Sequence, residues 1–211
     1  MIPDRELLKR AAQLSSATVH EALGKRGALP ASIKPLAPSV RLCGPALPVT
    51  APPGDNLWLH RAIYAARPGE VLVVDTGAGV DHGYWGEVMA VAAQVRHIAG
   101  LVISGGVRDS LRLVEMGFPV CAATTCIVGT TKNPAGKGQV GNPVILGDAE
   151  IHRGDLVIGD ADGVVVIPSA SLTETVLASE QRDTEEASIF ERLRAGETTI
   201  DIYKLPRESR L

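Results

Sequence analysis

A chain of 211 residues with 45% apolar side chains is long enough for one generous domain with a real hydrophobic core. Only 3% is aromatic, so Val, Leu, Ile and Ala must build that core. Against 24 acidic residues stand 21 basic ones, a net charge of −3 with no basic stripe; this argues against a nucleic-acid partner, because phosphate neutralisation needs clustered Lys and Arg.

The charged start MIPDRELLKR lacks the apolar core of a secretory signal. No uninterrupted apolar run reaches the roughly 18 residues that span a bilayer, so no membrane partner is expected. Cys43, Cys121 and Cys126 are odd in number and form no CxxC pair, which points to a reduced, cytoplasmic location.

Leu7, Leu8, Ala11, Ala12 and Leu14 recur at helical spacing, and Ser15 or Ser16 can cap a second helix running to Gly27. Pro-rich coil follows at Pro30, Pro35 and Pro38, then extended pieces at 40–42 and 46–50. Residues 55–67 read as a helix stopped by Pro68-Gly69. Val71 to Asp75 is a β-branched apolar run, hence a buried strand, and Gly77 to Gly83 a glycine-rich loop. A helix begins near Gly86-Glu87 and ends at Gly100. Leu101 to Ser104 is a second buried strand, Gly105 to Arg108 a loop, Asp109 to Gly117 a short helix, and Pro119 to Ala123 a third strand. This β-α-β-α-β order is that of a parallel sheet with crossover helices. A polar surface loop over 129–141, short strands and turns over 143–168, and a long charged helix over 169–196 complete the reading. No internal repeat or linker interrupts it, so residues 1–211 read as one domain with N-terminal helices (about 4–27) and a C-terminal helix (about 169–196) extending the core.

In a right-handed β-α-β unit the C-terminal ends of both strands share one edge of the sheet. The loop that ends at Gly86-Glu87 and the loop that ends at Arg108-Asp109 are therefore expected to face one crevice, where open α/β sheets place ligands. Helix N-termini favour a bound carboxylate or phosphate. Arg108 adds a planar fork of donors for an anionic oxygen pair, and Glu87 and Asp109 are hard oxygen ligands suited to Mg²⁺. The same residue types also fit a plain structural role, an N-capping Asp beside a solvated Arg, and spacing alone leaves both readings open.

The segments VVDTGAG, WGEVMAVAA, GLVISGGVRD, KGQVGNPV and GDLVIGDADGVVVIP, in this order, resemble the RraA-like family. That family includes the class II 4-hydroxy-4-methyl-2-oxoglutarate/4-carboxy-4-hydroxy-2-oxoadipate aldolases and the regulators of ribonuclease E activity. Glu87 precedes Arg108-Asp109 at the aldolase spacing, residues 88–107 lying between. The resemblance implies a layered α/β sandwich, similar to phosphohistidine swivelling domains, around the central β-α-β unit. It implies a divalent-metal-dependent lyase that cleaves a 4-hydroxy-2-oxo acid to pyruvate and a second carbonyl compound, with oxaloacetate decarboxylation as side activity.

It further implies that Asp109 binds the metal, Mg²⁺ with Mn²⁺ or Co²⁺ as substitutes. Glu87, where many relatives have Asp, holds a water; Arg108 contacts the keto-acid oxygens and stabilises the enolate. The amides of Gly86, Glu87 and Val88 cradle the pyruvyl carboxylate. Glu115 is a loose match to a further acidic position. Glu185 and Glu186, with Glu191 less favoured, are the acids that a neighbouring subunit would bring, in a trimer or hexamer with sites between subunits. The long C-terminal helix, missing from short regulators, tilts the resemblance toward the lyases.

Other signals carry less. Thr76 to Gly79 lacks the GK[ST] ending and the GxGxxG spacing of a nucleotide loop. Cys121 and Cys126 read as packing residues. His20, His60, His82, His97 and His152 show no metal-ligand spacing, and only His82, in the glycine-rich loop, lies near Glu87 in sequence. Lys132 and Lys137 are candidates for a substrate's distal carboxylate.

Overall fold

The computed structural model describes residues 4–207; residues 1–3 of the charged start and 208–211 of the tail lie outside it. Two short helices open the chain, α1 (Arg5–Ala11) and α2 (Ser16–Ala22). Asp4 and Ser15 cap them, the Ser15 hydroxyl accepting from the Thr18 N–H at 3.0 Å. The second helix stops short of Gly27 because Gly24 and Lys25 both turn to positive φ.

The short strand β1 (Lys34–Pro35) precedes β2 (Leu42–Thr50), which is one strand where two extended pieces were expected. It carries Pro45 and Pro48 because it changes partners midway. Leu42 to Pro45 pair antiparallel with β10 (Leu156–Gly159), whereas Ala46 to Thr50 pair parallel with β3 (Val71–Asp75). Pro45, which has no N–H to give, sits where one ladder hands over to the other. Helix α3 (Leu57–Ala65) lies between β2 and β3 in the chain.

The central unit follows the expected order. Strand β3, helix α4 (Glu87–Val95), strand β5 (Gly100–Val107), helix α5 (Ser110–Glu115) and strand β6 (Val120–Thr125) form parallel pairs β3·β5 and β5·β6. Two expectations need correction. Gly105-Gly106-Val107, read as a loop, continues β5 beyond a register shift between Ile103 and Gly106, and a short strand β4 (Gly83–Trp85) pairs with this extension. A Gly-Gly pair has the local preference of a turn, but here the bare backbone admits neighbours: a Cβ on Gly106 would come within 2.7 Å of the His82 carbonyl. Tertiary pairing overrides local propensity.

The remaining strands are β7 (Gln139–Val140), β8 (Val144–Leu146), β9 (Ala149–Ile151) and β11 (Val164–Ile167), so the 129–141 loop ends in a strand paired with β2. The long helix α6 (Leu172–Arg194) follows a 3-10 turn at Ser169–Ser171, and a short α7 (Thr199–Ile202) lies in the tail.

Alternation along the strands sets the layers. Leu72, Val74, Leu101 and Ile103 pack with α3, α4 and α5. Val71, Val73 and Val102, on the other face, meet Val144, Ile151, Val157 and Val166. The opposite faces of β10 and β11, through Leu156, Ile158, Val165 and Ile167, pack on α1, α2 and α6. The result is a mixed α/β sandwich, helices outside and sheet between. Its β3 is buried on both faces, as a continuous apolar run requires.

Asp160 ties α2 to the sheet. Its carboxylate accepts from Ser16 N–H at 2.7 Å and Ser16 Oγ–H at 2.6 Å, and from Asp162 N–H at 3.0 Å. Burial pushes its pKa up, but the Ser16 and Asp162 hydrogen bonds and the Arg41 charge outweigh this and hold it below the ordinary carboxylate value. A depressed pKa contributes stability that is complete above the unfolded value and lost as pH falls toward the folded one. Asp160→Asn is therefore expected to lower unfolding free energy by about 1–3 kcal/mol near pH 7, with the gap to wild type closing below about pH 4. Urea unfolding at the two pH values measures it.

Candidate active site

The extended end of β5 brings the expected residues together. Arg108 N–H donates to the Trp85 carbonyl at 2.8 Å, which locks the end of β4 beside the end of β5. Asp109 follows in the left-handed region at φ +55°, sparsely populated for a residue with a side chain though tolerated by Asp. Its carboxylate makes no capping bond to its own helix. Instead Oδ2 accepts the Glu87 N–H, at 3.0 Å, at the start of α4, and Arg108 Nε stands 4.0 Å from the same oxygen. The carboxylate is thus turned from its own helix to the first amide of α4.

Gly86 makes that approach possible. A Cβ at this position would lie 2.4 Å from Asp109 Oδ2 and 3.2 Å from Arg108 Cγ. With the keto-acid substrate that the family resemblance implies, Gly86→Ala is expected to displace Asp109 and lower kcat/KM about 100-fold, the scale of an ångström's misplacement. Steady-state kinetics beside a thermal melt checks this; an unchanged kcat/KM would show that Asp109 need not sit against α4.

Arg108 and Asp109 are 51% and 42% exposed in their side chains and stand between two clefts. One, of about 440 Å³, is lined by Ser110, Thr125, Cys126 and Ile127 beyond the pair. The other, of about 200 Å³, is the more polar; Gly86, Val88, Arg108 and Asp109 line one end, and Asn56, His60 and Lys132 are also in its wall. Burial and then the Lys132 charge push the His60 pKa below its ordinary value, so its imidazole is neutral near pH 7 and Lys132 is the cation on that side. Asn56 is 6% exposed; its Nδ2 donates to the Tyr84 carbonyl at 2.9 Å, while its Oδ1 has no partner among the described residues.

The other expected residues lie elsewhere. The Glu87 amide, one of three assigned to a bound carboxylate, is engaged by Asp109 in this structure; the Glu87 side chain is exposed. Glu115 is paired with Arg112 and lines neither cleft. Glu185 accepts from Gln181 and Glu186 pairs with Arg182, both on α6 in the layer opposite α4, so neither reaches the cleft of its own chain. His82 packs edge-on against Tyr84 outside the cleft walls. Asn56 and Tyr84 went unread in the sequence. The sole hint was the polar Asp55-Asn56 pair before an apolar helix.

Among the described residues, no three His, Cys, Asp or Glu side chains gather to hold one metal ion. The donor set does fit a cation that takes few protein ligands. Asp109 Oδ2 is fixed by an N–H, Oδ1 carries no hydrogen bond among the described residues, and Mg²⁺ commonly takes one or two carboxylates with waters and substrate oxygens filling the rest.

A family model described as RraA-like, Aldolase/RraA, matches residues 16–166. The chain belongs to this RraA-like family. A protein of Halalkalibacterium halodurans with the name "Putative 4-hydroxy-4-methyl-2-oxoglutarate aldolase" is 34% identical over 82% of this chain and 81% of its own. Among solved structures, an uncharacterized protein of Pseudomonas syringae pv. tomato superposes with a TM-score of 0.80 at 26% identity, covering 94% of this chain and 92% of its own. Streptomyces coelicolor RraAS2, described as an unusual member of the RNase ES inhibitor RraA protein family, gives 0.74 at 28% identity over 91% and 99%. The RraA-like membership expected from the motifs thus holds; the Halalkalibacterium protein's name lies on the aldolase side of the family, and that of RraAS2 on the inhibitor side. No helix among the described residues is long and apolar enough to cross a membrane.

Proposed function

We propose that the protein is a divalent-metal-dependent lyase that cleaves a 4-hydroxy-2-oxo acid, such as 4-hydroxy-4-methyl-2-oxoglutarate, to pyruvate and a second carbonyl compound. The observation that carries this is Asp109, turned out of its own helix and held at the start of α4 beside Arg108. Family membership and the relative's name support the reaction class.

Asp109 would hold the cation, Mg²⁺ with Mn²⁺ or Co²⁺ as substitutes. When bound, that cation supplies positive charge to the keto-acid oxygens and lowers the pKa of a neighbouring water. Arg108 donates to the same oxygens and stabilises the negative charge that develops on the carbonyl oxygen. Glu87, exposed at the start of α4 between Gly86 and Val88 of the cleft wall, would position a water that takes the proton of the C4 hydroxyl. The C3–C4 bond then breaks, leaving the second carbonyl compound and the pyruvate enolate, and protonation at C3 gives pyruvate. With the Glu87 N–H held by Asp109, the amides of Gly86 and Val88 remain for the pyruvyl carboxylate. Lys132 and Asn56 suit a distal carboxylate or hydroxyl. Oxaloacetate decarboxylation would use the same enolate.

A trimer or hexamer with Glu185 or Glu186 of a neighbouring copy completing the site is part of the proposal. Support comes from the exposed apolar side chains Val88, Val91 and Val95, which start at the site and follow one face of α4. A second reading, a regulator of ribonuclease E acting by protein contact, draws on the likeness to RraAS2. Pyruvate release from oxaloacetate with Mg²⁺, with and without EDTA, separates the two. Turnover that EDTA abolishes supports the lyase; capture of ribonuclease E without turnover in any metal supports the regulator.

A further inference from the structure

Asp55 is 3% exposed and lies outside the cleft, yet its carboxylate accepts three hydrogen bonds, more than any side chain lining the cleft makes among the described residues. Its Oδ1 accepts the Leu57 N–H at 2.9 Å, at the first turn of α3. Its Oδ2 accepts the Thr131 hydroxyl at 2.9 Å and also the Asn133 N–H. Around it the backbone is sewn in the same sense: Thr131 N–H donates to Gly54 O at 2.8 Å and Asn56 N–H to Thr131 O at 3.1 Å. One carboxylate thus spans the two segments that meet at the cleft, α3 with Asn56 and His60, and the 129–141 loop with Lys132.

We infer that Asp55 is a positioning residue, clamping the loop through Thr131 and Asn133 so that Lys132, the residue between them, is aimed into the cleft. A lysine on a polar loop has four rotatable side-chain bonds and a mobile backbone beneath them. Fixing the backbone on both sides removes most of that freedom before a ligand arrives, which is preorganisation. The carboxylate's own ionisation is consistent with the role. Burial would raise its pKa, but the donors from Asn133, Leu57 and Thr131, with the Lys132 charge, outweigh that and hold it below the ordinary value. It is charged near pH 7 and accepts at full strength.

The kinetic part of this inference rests on the lyase reading above; the structural part does not. Amide hydrogen exchange on the purified protein tests the clamp directly. Asp55→Ala is expected to speed exchange at Asn133 about tenfold or more. Asp55→Asn, whose carbonyl oxygen can still receive both loop-side donors, is expected to restore most of the protection. In turnover of 4-hydroxy-4-methyl-2-oxoglutarate, Lys132→Ala and Asp55→Ala should each raise KM about tenfold with kcat within about twofold, and the double variant should be no worse than either. With 4-hydroxy-2-oxopentanoate, which lacks the second carboxylate, all three variants should keep the wild-type KM.

A merely structural Asp55 would lower stability without this split between KM and kcat, and its effect would add to that of Lys132→Ala. Additive effects, or unchanged exchange at Asn133 in Asp55→Ala, overturn the inference. If Asp55→Ala does not fold, Thr131→Val removes one loop-side donor from an exposed position and carries the same comparison. A wild-type protein inactive on every keto acid sinks the lyase reading, and the exchange data with their Asn rescue then decide the clamp alone.

Discussion

Replacing Arg108 by alanine is expected to lower kcat about 1,000-fold or more while shifting unfolding free energy by no more than about 0.5 kcal/mol. The side chain is half exposed, and its one ion-pair partner among the described residues is the adjoining Asp109 at 4.0 Å, so little of the fold depends on it. Its position at the end of β5 is fixed by the backbone, through the Arg108 N–H to Trp85 bond, which alanine keeps. In the proposed lyase, what alanine removes is the fork of donors that would meet the keto-acid oxygens. Arg108→Lys keeps the charge but loses the planar pair of bonds, so it should recover only a small part of the activity. Pyruvate formation followed at saturating substrate, with a urea unfolding curve on each variant, checks both. Near-normal kcat in Arg108→Ala would remove Arg108 from the chemistry.

The second large effect is at Asp109, where two variants separate the functional role from the structural one. Asn tolerates positive φ and offers an oxygen to the Glu87 N–H, so Asp109→Asn keeps the local structure of the β5–α5 junction. It lacks the negative charge that a divalent cation requires. Turnover is expected to fall about 100-fold or more, and the Mg²⁺ concentration for half-maximal rate to rise, with thermal stability nearly unchanged. Asp109→Ala removes the acceptor as well and places a Cβ-bearing residue without local hydrogen bonding at φ +55°. It is expected to lose turnover entirely and about 1 kcal/mol of stability. A Mg²⁺ titration of the rate distinguishes the cases; wild-type activity in Asp109→Asn would reduce Asp109 to a structural acceptor.

The parts of this site differ in how openly the sequence displays them. Strand β3 and the first half of β5 are apolar runs buried on both faces, so residue type alone announces them. From these two strands and the handedness of the crossover followed the meeting of residues 87 and 109, which the Glu87–Asp109 hydrogen bond realises. The far half of β5 and all of β4 were hidden because their defining residues, Gly83, Gly105 and Gly106, have turn propensity. Only the approach of other segments, such as Cys126 O within 2.4 Å of where a Gly83 Cβ would stand, reveals why they are glycine. Proline masked β2 in the same way, since a partner change at Pro45 is a property of three strands and not of one.

The far end of the cleft was the least legible. Lys132 stood out as a charge in a polar loop, but nothing local links it to Asn56, 76 positions earlier. That link runs through the Asp55 carboxylate and through backbone bonds between Gly54, Asn56 and Thr131, which are long-range contacts without periodicity. The acids on α6 illustrate the reverse case. Glu185 and Glu186 are conspicuous in sequence, yet each is already partnered on its own helix, in the layer away from the cleft.

The most direct test of the central claim is the release of pyruvate from 4-hydroxy-4-methyl-2-oxoglutarate by the purified protein, in Mg²⁺ and after chelation. The expected result is two pyruvates per substrate cleaved with Mg²⁺, none with EDTA, and recovery on adding Mg²⁺ or Mn²⁺ back. Absence of pyruvate with every divalent cation, from a folded protein whose Arg108 and Asp109 are intact, would contradict it.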